Sequence, residues 1–95
     1  MHKIASISEL KATVSQWRKQ ELSIAFVPTM GNLHAGHIKL VREARKKADK
    51  VIVSIFVNPT QFCVGEDFES YPRTELADQD KLEKASTDLL FLPSV

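Results

Sequence analysis

The sequence predicts an α/β fold, a parallel β-sheet with helices on both faces. Three observations lead there. Short apolar runs at 23–28, 51–57 and 88–92 alternate with helical apolar stripes at 7–20, 37–48 and 75–85. The run Val-Ile-Val-Ser-Ile-Phe-Val at 51–57 is apolar and β-branched almost throughout, as an interior strand covered on both faces reads. Strand–helix–strand order then calls for right-handed crossovers between parallel strands. In such sheets ligands gather beyond the carboxyl ends of the strands. Two polar loops leave those ends, 29–36 and 58–74, and a site belongs there.

Each element has its own signal. Ser6 and Glu9 have capping-box spacing, and Ile7, Leu10, Val14 and Trp17 follow at helical intervals, predicting a helix over 7–20. Trp17 reads as core. The run 23–28 is a short buried strand ended by Pro28, with Phe26 in the core. Residues 29–36 hold two of the three glycines and read as a loop. From His37 the stripe Ile38, Val41, Ala44 and Ala48 forms a second helix, with Arg45, Lys46 and Lys47 where cations suit the helix dipole. Residues 58–74 form a long polar loop with two prolines. A weaker helix over 75–85 rests on Leu76, Leu82 and Ala85, and residues 88–92 make a last strand. Lys3 to Ala5 adds a short first strand.

Composition narrows the function. A chain of 95 residues holds one domain, burying roughly 60–70% of its unfolded surface. Thirteen Lys and Arg face twelve Asp and Glu, so no basic excess suggests a nucleic-acid surface. A single cysteine, Cys63, forms no internal disulfide. The N-terminal residues lack the apolar stretch of a signal peptide, and no run suits a membrane span, so a soluble cytoplasmic protein is expected.

The chemistry concentrates in Pro28-Thr29-Met30-Gly31-Asn32-Leu33-His34-Ala35-Gly36-His37. A strand ends, glycines let the backbone turn tightly, and a helix opens at about Gly36. Amides at a helix start and the positive end of its dipole favour phosphate. His34 and His37, three apart, project in the same direction there, with Gly36 between them leaving room for a base or ribose. Two imidazoles at such a point can donate hydrogen bonds to charge growing on a phosphate. Losing one such donor costs about 3–4 kcal/mol of barrier stabilisation. A bare His-x-x-His is more often a surface pair. A zinc site would need three or four ligands, with only His2 and Cys63 to add. Neither a Walker loop nor a dinucleotide fingerprint is present.

Residues 27–37 resemble the nucleotide motif of the pantothenate synthetase family, within the wider nucleotidyltransferase superfamily marked by His-x-Gly-His. Phe56-Val57-Asn58-Pro59-Thr60-Gln61-Phe62 resembles that family's second signature, and Glu66-Asp67-Phe68 through Tyr71-Pro72-Arg73-Thr74 its third. Ala35 stands where the family often has an acidic residue. The resemblance implies a Rossmann-like domain, of which this chain is the N-terminal part, truncated before the remainder of that domain and a C-terminal domain. It implies condensation of pantoate with β-alanine using ATP and magnesium, through a pantoyl adenylate, with AMP and pyrophosphate released. It assigns ATP contacts to Met30, Gly31, Asn32, Leu33, His34, Ala35, Gly36 and His37. His37 is the donor to the phosphate in transfer, with His34 supporting it. Thr29, Met30, Asn58 and Gln61 hold pantoate, Gln61 also meets β-alanine, and Mg2+ is carried by the nucleotide without protein ligands in this segment. The family is commonly dimeric through this half.

The residues alone leave some roles open. Gln61 offers both donors and an acceptor to a small hydroxy acid, while Asn58-Pro59 also reads as a turn after a strand. Arg73 could meet a phosphate or cap the loop against Glu66 or Asp67, and the structural role is favoured. Tyr71 could wall the pocket or pack in the core. Two other functions compete. A transferase acting on a phosphate ester would want a basic acceptor pocket, whereas 58–62 is neutral. A non-catalytic module would bind pantoate or nucleotide without turnover. With one wall of the site absent, the chain is expected to fold but turn over poorly, and an open sheet edge is expected to promote self-association.

Overall fold

The structure, a computed structural model, describes residues 1–56 and 75–93. In chain order the elements are β1 (His2–Ile4), α1 (Ile7–Lys19), β2 (Ile24–Thr29), α2 (Ala35–Lys47), β3 (Lys50–Ile55), α3 (Glu75–Lys84) and β4 (Leu89–Phe91). The strands form one parallel sheet in the order β1-β4-β3-β2. The predicted α/β class and every predicted element within the described residues are present. The boundaries move by at most two residues.

Alternation along the strands sorts the core into two layers. Val27, Val51, Val53 and Leu90 point to one face, where Val41 of α2 and Leu82 of α3 pack, with Ala85 just beyond α3. Ile4, Ile52, Leu89 and Phe91 point to the other, where Leu10, Val14 and Trp17 of α1 lie. Helices therefore cover both faces. Ser6 caps α1 by accepting the Glu9 amide at 3.1 Å. Arg45, Lys46 and Lys47 occupy the last turn of α2 as expected.

Polar ties fasten the amino-terminal edge of the sheet. The Asp49 carboxylate accepts the Ser23 amide at 2.9 Å and its hydroxyl at 3.1 Å, joining the start of β2 to the turn before β3. These bonds, the backbone one foremost, hold its carboxyl below the ordinary range. Asp88 accepts the Val51 amide at 2.8 Å and pairs with Arg45 of α2.

Three expectations need correction. Phe26 is 52% exposed rather than core. It lies on β2, at one end of the strand order, and on that face Ile24 packs against the core cluster that α1 covers, while Phe26 is not part of it. Leu76 is 83% exposed, so it does not hold α3. The buried face runs through Asp78, Leu82 and Ala85, spaced i, i+4, i+7, and Leu76 falls on the opposite side. Ile7 is 60% exposed, because the stripe that α1 buries begins at Leu10. Among the described residues no helix is long and apolar enough to cross a membrane.

Leu82→Ala should cost about 2–5 kcal/mol, because Leu82 is wholly buried between α3 and the sheet. Leu76→Ala should stay within about 0.5 kcal/mol. Urea unfolding of the two variants checks this, and equal losses would contradict the packing of α3.

Candidate functional site

Two parallel strands end at the same edge of the sheet. In the β2–β3 ladder Thr29 lies opposite Ile55, and the Phe56 amide donates to the Thr29 carbonyl at 3.0 Å. The loop after β2 and the chain leaving β3 therefore depart side by side. Asn58 and Gln61, with Tyr71, Arg73 and the rest of 57–74, lie outside the described residues.

The loop is built from the strand outward. Thr29 is buried, its hydroxyl donating to the Ser54 carbonyl at 2.9 Å and accepting the Gly31 amide at 3.2 Å. Gly31 takes φ 86°, and a Cβ there would sit 3.1 Å from Ile55 Cγ2. Only glycine adopts that conformation readily with so little space. Asn32 follows with φ 52°, and Leu33 turns its side chain into the core. Met30 is half-buried, while Asn32, His34, Ala35 and Gly36 are exposed.

Helix α2 opens one residue earlier than expected, at Ala35, and its cap is made by the histidines. His34, in extended conformation at the N-cap, accepts the Gly36 amide on Nδ1 at 3.0 Å. The His34 amide in turn donates to His37 Nδ1 at 3.2 Å. This is a capping box with imidazoles in place of hydroxyl and carboxylate. The rings lie 4.1 Å apart, centroid to centroid. A Cβ on Gly36 would fall 2.8 Å from His34 Cε1, so glycine at 36 is what lets the ring fold back over the helix start.

Two consequences concern ligands. The helix start is less open than its sequence suggests, since the His34 and Gly36 amides already have imidazole partners. Each neutral ring, accepting on Nδ1, carries its proton on Nε2, and Nε2–H is the donor left for a ligand. Burial and then the neighbouring His34 charge lower the His37 pKa, opposed by the Asp78 carboxylate. Neutral His37 also preserves the cap, because a proton on Nδ1 would end its bond to the His34 amide. Beside His34 a groove of about 430 Å³ runs along α2, where Ile38 lies among Lys39, Arg42, Glu43 and Lys46.

The structure thus brings the 29–37 residues together, although Thr29 and Leu33 are turned inward. It also adds two that sequence reasoning missed. Asp78, 1% exposed, accepts the Asn32 and Leu33 amides at 2.9 Å each. Lys81 Nζ donates to the Leu33 carbonyl at 2.8 Å. The signal was available for Asp78, whose helical spacing with Leu82 and Ala85 puts a carboxylate on a buried face. Among the described residues no three histidine, cysteine or carboxylate groups gather as metal donors would. Both Asp78 oxygens already accept backbone amides.

Comparison with known proteins is consistent along nearly the whole chain. Residues 2–95 match the family model described as Pantoate-beta-alanine ligase. The pantothenate synthetase of Colwellia psychrerythraea is 65% identical over 94 residues, which are 99% of this chain and 33% of that protein. That of Hydrogenovibrio crunogenus is 58% identical, covering 95% of this chain and 32% of the relative. The crystal structure of pantothenate synthetase from Thermus thermophilus superposes with a TM-score of 0.85 at 42% identity, over 99% of this chain and 32% of that one. The Francisella tularensis pantoate-beta-alanine ligase, complexed with beta-gamma ATP and beta-alanine, gives 0.89 at 44% identity, over 99% and 36%. The chain spans about a third of the length of these curated relatives.

Because His37 is harder to protonate folded than unfolded, the native state holds fewer protons between the two titrations. Stability is therefore full above the unfolded imidazole value, about 6.5, and falls as pH drops below it until folded His37 protonates too. Urea midpoints measured down from about pH 7.5 to about pH 5.5 should show this slope, and His37→Gln should remove part of it. Identical slopes in the two proteins would contradict the assignment.

Proposed function

The chain belongs to the pantoate–β-alanine ligase family, and on that premise we propose that it forms the nucleotide-facing wall of an ATP-dependent ligase joining (R)-pantoate to β-alanine. The observation that carries the reading is the imidazole pair, with both Nδ1 atoms turned onto helix amides and both Nε2 atoms left for a ligand. A family relative solved with beta-gamma ATP and beta-alanine supports the choice of substrates.

In this reading a pantoate carboxylate oxygen attacks the α-phosphorus of ATP. The bond to the bridging oxygen breaks and pyrophosphate leaves. The β-alanine amine then attacks the acyl carbon of the pantoyl adenylate, an amide forms with loss of a proton, and AMP departs. His37 donates from Nε2 to a phosphate oxygen as charge builds, and His34 supports it from the cap. Donors fixed in advance stabilise such charge without reorganising. Met30, Gly31, Asn32, Leu33, Ala35 and Gly36 form the backbone against which the nucleotide rests. Thr29, Met30, Asn58 and Gln61 are assigned to pantoate, and Gln61 also to β-alanine. Magnesium enters only as the ion carried by the ATP phosphates, and no step above depends on it. The substrates are small molecules in the cytoplasm, with neither nucleic acid nor membrane as partner.

The 95-residue polypeptide should bind more readily than it turns over. His34, Ala35 and Gly36 are open to solvent, and catalysis by positioning needs reactants held from more than one side. Calorimetry should detect ATP binding that His37→Ala weakens about tenfold or more, while AMP release in the presence of all three substrates stays slow. No ATP binding at millimolar protein would defeat the nucleotide assignment, and turnover at ordinary ligase rates would defeat the statement about the isolated chain.

The same polypeptide should self-associate as a homodimer or by strand exchange. Among the described residues β2 is paired on one side only, and its Phe26 is half exposed. Such an edge invites another strand. Sedimentation should show dimer that Phe26→Lys reduces, and a monomer at every concentration would contradict it.

A further inference from the structure

Asp78 does something the reaction scheme does not ask of it. It is a carboxylate with 1% exposure on α3, forty-one residues along the chain from His37. An ion so buried is costly unless its oxygens are well supplied with donors. Oδ2 accepts the Asn32 amide and Oδ1 the Leu33 amide, each at 2.9 Å. Those two amides converge because the turn passes through consecutive left-handed residues, Gly31 at φ 86° and Asn32 at φ 52°. Successive amides in such a turn form an anion-binding concavity, and here a side chain of the protein fills it. The fit is close, since a Cβ on Gly31 would lie 3.5 Å from Asp78 Oδ2. One helical step further on, Lys81 reaches the same turn from α3 and donates to the Leu33 carbonyl at 2.8 Å. Leu33 is thus held at its amide, its carbonyl and its buried side chain, and the next residue is His34.

We infer that Asp78 and Lys81 act as a clasp that sets the 31–33 turn and so aims the His34–His37 pair at the nucleotide. The inference rests on the function proposed above and adds two positioning residues to it. Neither need touch substrate. Asp78 fixes where the chain enters the cap, and Lys81 fixes the carbonyl from which it leaves the turn. Among the described residues the charged groups facing His37 are His34 from its own helix start and Asp78 from α3, and the Asp78 carboxylate raises the proton affinity of the ring that burial lowers.

Three proteins test this, the wild-type chain, Asp78→Asn and Lys81→Met, each followed by amide exchange, imidazole titration by NMR, and ATP calorimetry. Asparagine keeps one acceptor and turns an NH2 toward the second amide. Asp78→Asn should speed exchange at Asn32 and Leu33 by about tenfold or more. It should move the His37 titration to lower pH and weaken ATP binding about tenfold. A role confined to stability would lower the unfolding midpoint and leave the ATP affinity of the folded protein unchanged. That result overturns the inference. If Asp78→Asn does not fold, Lys81→Met decides. Shifted His34 and His37 signals with weaker ATP binding support the clasp, and unchanged signals reject it. Wild-type protein that fails to bind ATP would instead remove the proposed function, while exchange and titration still decide whether the clasp sets the turn.

Discussion

The β2–β3 ladder is the constraint from which the rest of the site derives. Six registered pairs bring Thr29 level with Ile55. Parallel strands share a direction, so the segments leaving β2 and β3 must emerge together at one edge. The helix that returns the chain between them then has its amino terminus at that edge. A helix start points its unpaired amides outward, which makes this the place where the fold can meet an anion. Residues on β2 and β3 that do no chemistry, such as Val27, Val51 and Val53, anchor this geometry by being wholly or almost wholly buried under α2 and α3.

At that edge the molecule uses histidine where a helix cap more often has serine and glutamate. The exchange has a chemical consequence. A hydroxyl or carboxylate cap would satisfy the amides and offer a ligand little. An imidazole can accept an amide on Nδ1 and still present Nε2–H outward. The cap needs the rings neutral, and burial together with the closeness of His34 lowers the His37 proton affinity. A phosphate arriving at Nε2 would pull the other way. The pair therefore sits between two demands, the helix's for an acceptor and the ligand's for a donor, and the two nitrogens of one ring meet both. Gly36 belongs to the same arrangement, because the ring of His34 occupies the space a side chain there would fill.

The opposite edge of the sheet is tied by different chemistry. Asp49 binds Ser23 and Asp88 binds Val51 and Arg45, so carboxylates fasten the strand starts. A third carboxylate, Asp78, fastens the turn at the functional edge. Each accepts at least one backbone amide, and only Asp78 is almost fully buried. Its burial goes with its two bonds to the 31–33 turn, which α3 also reaches through Lys81. That placement joins the loop after β2 to the helix that comes after the 57–74 segment.

Local pattern was enough to read the α/β class, the strand-helix order and the loop that carries the histidines. Those features depend on periodicity, on proline and glycine, and on short motifs, all of which are written in neighbouring residues. The family resemblance extended the reading to substrates through the motifs at 27–37, 56–62 and 66–74. Which apolar residues would be covered was less legible. Phe26 and Leu76 are as hydrophobic as Ile52 and Leu82, and only the position of β2 in the strand order and the rotation of α3 decide that the first two face water. Nor could sequence show that the histidines bond to backbone amides at the helix start, or that Asp78 and Lys81 reach the turn from more than forty residues away. Contacts between distant residues are set by how helices settle on a sheet, and that settling is a property of the packed whole.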